Sequence, residues 1–294
     1  MSKLQSILVT GTTGNQGGAV VDALLEADLD VEIGGLTRDA SSDRARALAD
    51  QGVEMVEGDL EDPSSLERAL DGYEGIFGVT NFWDVGYDRQ VEQGCNLVDA
   101  AFETDSRFFV FSGVGSHHEN TGIPHFDSSW EIDQHLQGSG LDNTVLEPVF
   151  FFQNFEPSAE DILGGTLAQP LAEGVSLQMI DVRDVGRAAE RVFANPGDFE
   201  GQRLELAGDE ATLEEMAETF SEVTGVEVAP YHVSIEEARE QFGDEFADMF
   251  EWFNEAGYSA DIDRLEQTFG LEFNTLETYL HEQGWGSDYS PDEM

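Results

Sequence analysis

In the first half of the chain, short apolar runs alternate with longer segments striped at helical spacing. They read, in order, "SILVT", "AVVDALLEA", "DVEIGGLT", "SSDRARALAD", "VEMVEGD", "PSSLERAL", "GIFGVT", "VEQGCNLVDAAF" and "RFFVFSG". Runs without polar alternation suit strands covered on both faces, and strands taking turns with helices mean βαβ units and a parallel sheet. The pattern predicts an α/β fold with a doubly wound parallel sheet. Asp62 followed by Pro63 supplies a helix cap and a first-turn proline. The run "NTVLEPVFFF" reads as the sixth strand, and regularity weakens after it. Residues 156–174 read as an irregular excursion, and "SLQMIDVRDVGRAAERVF" as a strand and a helix. We expect a nucleotide-binding domain over 1–155, to which 175–207 returns, and a smaller mixed, mainly helical C-terminal lobe over 156–294 that closes the site. Thr212 with Glu215 and Ser234 with Glu237 are spaced as capping boxes, Asn274 reads as a cap before Glu277, and the tail "GSDYSPDEM" reads as frayed.

Between the first strand and the first helix stands Gly11-Thr12-Thr13-Gly14-Asn15-Gln16-Gly17. In that position each glycine has a use. Gly11 can turn off the strand, Gly14 lets bare backbone approach a pyrophosphate, and Gly17 lets the helix pack close to the sheet. The helix N-terminus then aims unpaired N–H groups at phosphate. This makes the sheet Rossmann-type and all seven loop residues candidate cofactor contacts. The second strand is followed by Arg38, a guanidinium suited to the 2′-phosphate of NADP(H); Asp39 beside it leaves NAD(H) as the lesser candidate. The alternative is a surface Arg38 paired with Asp39 or Asp43.

The chain carries 62 acidic residues against 13 basic ones, a formal charge of -49, and its single lysine is Lys3. Disorder is excluded by 40% hydrophobic content and 20 phenylalanines, so the charge belongs on the surface of a packed protein. Such a shell repels itself except where salt shortens the screening length, to about 3 Å at about 1 M. A halophilic origin and a high-salt cytoplasm are therefore expected. Direct nucleic-acid binding and attachment to anionic membranes are disfavoured by the same charge, and no apolar run approaches the ~20 residues of a membrane span. Cys95 is the only cysteine and reads as a small packed hydrophobe. Adjacent His117 and His118, with His125, do not form a usual chelating set, so no metal site is expected.

These segments, with "GDLEDPSSLERAL", "VTNFWD", "HFDSSWEID", "EPVFFFQNF", "IDVRDVGRAA" and "GQRLELAGDEATLEE", give a chain that resembles the NmrA-like family. That family has an atypical short-chain dehydrogenase fold and includes fungal nitrogen regulators and a mammalian NADPH sensor. The resemblance implies that the glycine loop holds the pyrophosphate and Arg38 the 2′-phosphate. It implies that Asp59 and Leu60 flank the adenine, that Thr80 and Asn81 line the cofactor, and that Phe151 to Asn154 lie near the nicotinamide. For Asp59 a turn cap, and for the phenylalanines an ordinary core, are equal alternatives. The dehydrogenase catalytic positions correspond to Ser112, His125 and Ser129; with no lysine beyond Lys3, the usual proton-transfer lysine is missing, and Cys95 stands where relatives often carry another.

Two functions stay open on the sequence. The favoured one is an NADPH/NADP redox sensor or regulator acting through an unidentified protein partner, because the cofactor half is intact while the lysine is gone. The alternative is an NADPH-dependent oxidoreductase reducing a quinone or similar small conjugated carbonyl. There His125 would donate the proton, histidine being the side chain that ordinarily titrates near neutral pH, with Ser112 nearby. A monomer or homodimer is expected.

Overall fold

The computed structural model describes residues 3–27, 29–119, 121–286 and 289. The chain divides into two compact units, Met1–Glu147 with Val182–Leu204, and Pro148–Asp181 with Glu205–Met294. Its first elements alternate as β1 (Ser6–Val9), α1 (Asn15–Glu26), β2 (Glu32–Thr37), α2 (Asp43–Asp50), β3 (Glu54–Glu57), α3 (Pro63–Leu70) and β4 (Gly75–Val79). Then come α4 (Phe82–Val85), α5 (Tyr87–Glu103), β5 (Phe108–Ser112), α6 (Pro124–Ser139) and β6 (Asn143–Pro148). Next are β7 (Phe150–Phe151), α7 (Ala159–Leu163), β8 (Thr166–Gln169), β9 (Ser176–Ile180), α8 (Val182–Ala194), α9 (Pro196–Phe199) and β10 (Arg203–Leu206). The last are β11 (Asp209–Thr212), α10 (Leu213–Thr224), β12 (Ala229–His232), α11 (Ile235–Phe242), α12 (Asp244–Glu255), α13 (Ile262–Phe269) and α14 (Leu276–Glu282).

The main sheet has seven strands in the order β10-β6-β5-β4-β1-β2-β3. Its pairings from β6 through β3 are all parallel. The order reverses between β1 and β4, and the loops that leave the C-terminal ends of those two strands flank the crevice where doubly wound sheets bind ligands. Strands β1, β5 and β6 are buried throughout, as apolar runs without alternation require. Asp62 caps α3 by accepting a hydrogen bond from the Ser64 N–H, with Pro63 in the first turn. Helices α1 and α8 pack so closely that a Cβ on Gly186 would stand 2.2 Å from the Ala19 carbonyl oxygen.

The second unit holds a three-stranded sheet, β11-β9-β7, and a two-stranded one, β12-β8. The strand and helix read from "SLQMIDVRDVGRAAERVF" both form, but β9 joins the three-stranded sheet while α8 belongs to the first unit. The "irregular" stretch 156–174 contains α7 and β8, the latter paired in parallel with β12. Both capping boxes are present, at Thr212 with Glu215 and Ser234 with Glu237. Asn274 is not the cap of α14: Thr275 is, its hydroxyl accepting from the Thr278 N–H, because the Asn274 amide instead donates to Asp181 at 3.1 Å. Most of the tail beyond Gly286 lies outside the described residues.

Candidate functional site

The glycine loop leaves β1 through Gly11, whose φ of +63° favours glycine. Its carbonyl accepts the Gly14 N–H at 2.8 Å, closing the turn. Gly17 faces back into this loop: a Cβ there would stand 2.3 Å from the Gly11 oxygen and 2.4 Å from the Thr10 oxygen. The close approach that Gly17 permits is thus between α1 and its own loop. Helix α1 begins at Asn15 with no side-chain cap and no acidic residue in its first turn, so its leading N–H groups stay available to an anion. The Thr10 hydroxyl bonds both the N–H and the carbonyl of Val79, at 2.8 and 3.2 Å, and ties the loop to the end of β4.

Within the loop the candidates divide. Thr13, Gly14 and Asn15 are exposed, whereas Thr12 is buried with its hydroxyl donating to the Leu36 carbonyl at 3.1 Å. Gln16 accepts a 2.7 Å hydrogen bond from Ser112 at the end of β5. Arg38 is exposed, and among the described residues its guanidinium makes no ion pair. The two acids that could have claimed it are otherwise engaged. Asp39 accepts from the Ser41 N–H and hydroxyl, which hold its carboxyl below the usual range, and Asp43 pairs with Arg46.

Asp59 accepts from the Glu61 N–H and so does cap a turn, while remaining exposed; the Leu60 carbonyl is held by Asn96 at 2.9 Å. After β4, Thr80 accepts from Gln90, and Asn81 caps α4 by accepting from the Trp83 N–H. Phe151 and Asn154 belong to the second unit, half-buried and exposed respectively. Phe152 and Phe155 beside them are fully buried core, Phe152 packing on Tyr279 and Phe155 on Phe220.

His125 opens α6 and is 7% exposed. Its ring lies 5.7 Å from that of Phe82, 5.2 Å from Trp83 and 4.7 Å from Phe126. The helix is tied to β4, since Ser128 donates to Gln90, which donates to Thr80. Of the three dehydrogenase-like positions, Ser129 is taken: its hydroxyl lies 3.1 Å from Nδ1 of His117. Cys95 is half-buried, its thiol pushed up by burial and then by Asp99 and Glu131.

Trp83 and a buried charge cluster were not legible as site features. Nε2 of His117 lies 3.2 Å from Asp133 and 3.3 Å from Glu147, all three side chains being buried. Their ligand-capable atoms fall within 4.8 Å of one another, and Nε of Arg203 stands 2.6 Å from Asp133. Burial pushes His117 down, against the opposing bond to Asp133; burial pushes Asp133 up, but bonds from His117, Arg203 and Gln137 outweigh it and hold the carboxyl low. A hollow of about 350 Å³ lies at the opposite ends of β1 and β2, where Asp30, Glu32 and Glu74 make it unsuitable for phosphate.

Comparison with known proteins gives a consistent picture. The model of the NmrA-like family matches residues 3–282. The NAD(P)H azoreductase of Xenophilus azovorans is 34% identical over 239 residues, covering 80% of this chain and 79% of that one. The structure of the NADPH-dependent quinone oxidoreductase of Escherichia coli complexed with NADPH superposes with a TM-score of 0.83, at 24% identity over 94% of this chain and 99% of that one. That of NmrA, a negative transcriptional regulator, in complex with NADP does so with a TM-score of 0.75, at 17% identity over 96% of this chain and 95% of that one.

Proposed function

The chain belongs to the NmrA-like family, and from that membership we propose that it is an NADPH-dependent oxidoreductase reducing small conjugated acceptors, quinones or azo compounds. The observation that carries this reading is the packing of His125 against Phe82 and Trp83, because a buried imidazole among rings suits protonation of a flat conjugated acceptor. The azoreductase relative supports the same reaction class.

NADP(H) fits the residues present. The uncapped first turn of α1 and the Cβ-free Gly14 receive the pyrophosphate, and Arg38, with no acid holding it, receives the 2′-phosphate. Bound NADPH supplies the hydride. Hydride addition to a C=O or N=N bond leaves an anion that needs one proton, and His125 delivers it before recovering one from solvent. Ser112, bonded to Gln16, couples the end of β5 to the first turn of α1 and holds the two edges of the cradle in register.

NADPH oxidation followed in molar salt with a panel of quinones and azo dyes tests the proposal. Turnover by the wild type, reduced at least about tenfold in His125→Ala, is the expected result. Tight NADPH binding with no turnover across the panel would instead favour the second reading, a cofactor-responsive regulator. That reading draws on one specific observation: no lysine beyond Lys3 exists to serve the usual dehydrogenase mechanism.

A further inference from the structure

We propose that Trp83 is the platform on which the substrate stacks, and that the substrate class selected there is a planar conjugated cation rather than an anion. This deepens the reductase reading and rests on it. Four large apolar side chains are exposed among the described residues, Trp83, Phe102, Tyr231 and Phe242. Trp83 alone follows β4, one of the two strands at the reversal of sheet order; Phe102 is on α5, Tyr231 on β12 and Phe242 ends α11.

The indole is 62% exposed yet held in place. Its backbone N–H is bonded to the Asn81 cap, its ring meets Phe82 edge-on at 5.5 Å, and it lies 5.2 Å from the His125 ring. An exposed aromatic fixed against the proposed proton donor offers a flat guest both a stacking surface and a nearby N–H.

Charge decides which guest. Asp84 is exposed on α4, and Asp88 stands in the first turn of α5. Tyr87 between them donates to Glu131 at 2.6 Å, and its hydroxyl is pushed up to about 12 by burial first and then by Glu131, Asp127 and Asp88. The one cation on this stretch, Arg89, pairs with Glu61. Asp84 and Asp88 follow the indole on α4 and α5; with molar salt screening longer-range attraction, the discrimination rests on contact, since an indole face takes a cationic ring system by cation–π contact and offers a sulfonate none.

Two azo dyes of one conjugated frame, one bearing a quaternary ammonium and the other a sulfonate, test this in molar salt. Each is titrated into the protein saturated with NADP+, where no reduction can occur, with tryptophan emission as the readout; KM is then measured with NADPH. The cationic dye should bind about tenfold or more tightly than the sulfonated one. Trp83→Ala should lose about tenfold in affinity for it and raise its KM, with Trp83→Phe intermediate and NADPH affinity unchanged in both. Equal binding of the two dyes, or wild-type affinity for the cationic dye in Trp83→Ala, overturns the proposal. Failure of the wild type to bind NADPH overturns it together with the function it rests on. If NADPH binds and neither dye is turned over, the reductase reading alone fails and the dye titration still decides the platform.

Discussion

His117 is buried with Nδ1 against Ser129 and Nε2 facing Asp133 and Glu147, and burial keeps its imidazole neutral to lower pH than usual. A histidine with a depressed pKa binds its proton more readily when unfolded. Its contribution is therefore complete above about pH 6.5, the unfolded value, and is lost as pH falls from there through the folded one. Denaturant unfolding of wild type and His117→Gln should show the stability advantage of the wild type narrowing as pH drops below about 6.5; a constant difference down to about pH 5 would show that the ring titrates as it does in the unfolded chain. Asp133, held low, adds a second loss at more acidic pH. None of this was legible in the sequence, because the ring and the guanidinium that meet Asp133 stand 16 and 70 positions away, at His117 and Arg203. Arg38 was legible in type and position, but its freedom from Asp39 was not: that depended on Ser41 engaging the carboxylate.

Helix α8 shows how much an element's sequence conceals. The striping of "DVRDVGRAAERVF" announces a helix, but the reason for Gly186 is the backbone of α1 lying where its Cβ would be, a contact between distant elements. Gly186→Ala should destabilise the fold by about 1–3 kcal/mol, measured by denaturant unfolding, and weaken NADPH binding by shifting α1, the helix whose N-terminus we propose to receive the phosphates. Unchanged stability would mean that the two helices separate freely. Local signals served better: the two capping boxes and the Asp62-Pro63 start needed only residues three or fewer apart, and they form as read. Asn274-Thr275 offered two capping residues in a row, and only the distant Asp181, which engages the Asn274 amide, decided between them. The pairing of β9 with β11 and β7 is equally non-local and left no periodic trace.

Across the whole molecule the charge of -49 remains the dominant physical fact. Five acidic side chains among the described residues are nevertheless buried, each with specific neighbours: Asp133 meets Arg203, Glu147 meets His117, Asp184 meets Arg187, Glu190 meets Arg191, and Asp181 accepts from Gln153 and Asn274. The rest repel one another at the surface unless screened. Dialysis from molar salt into dilute buffer should abolish the far-ultraviolet circular dichroism of the folded chain; an unchanged spectrum would show that the surface needs no salt. The doubly wound parallel architecture was legible, since alternation of strand and helix leaves few topologies open. Titration calorimetry of the salt-kept protein with NADPH and NADH is the most direct test of the nucleotide cradle. NADPH should bind about ten- to a hundredfold more tightly, with the preference erased in Arg38→Ala, whereas no heat from either nucleotide would contradict the cradle outright.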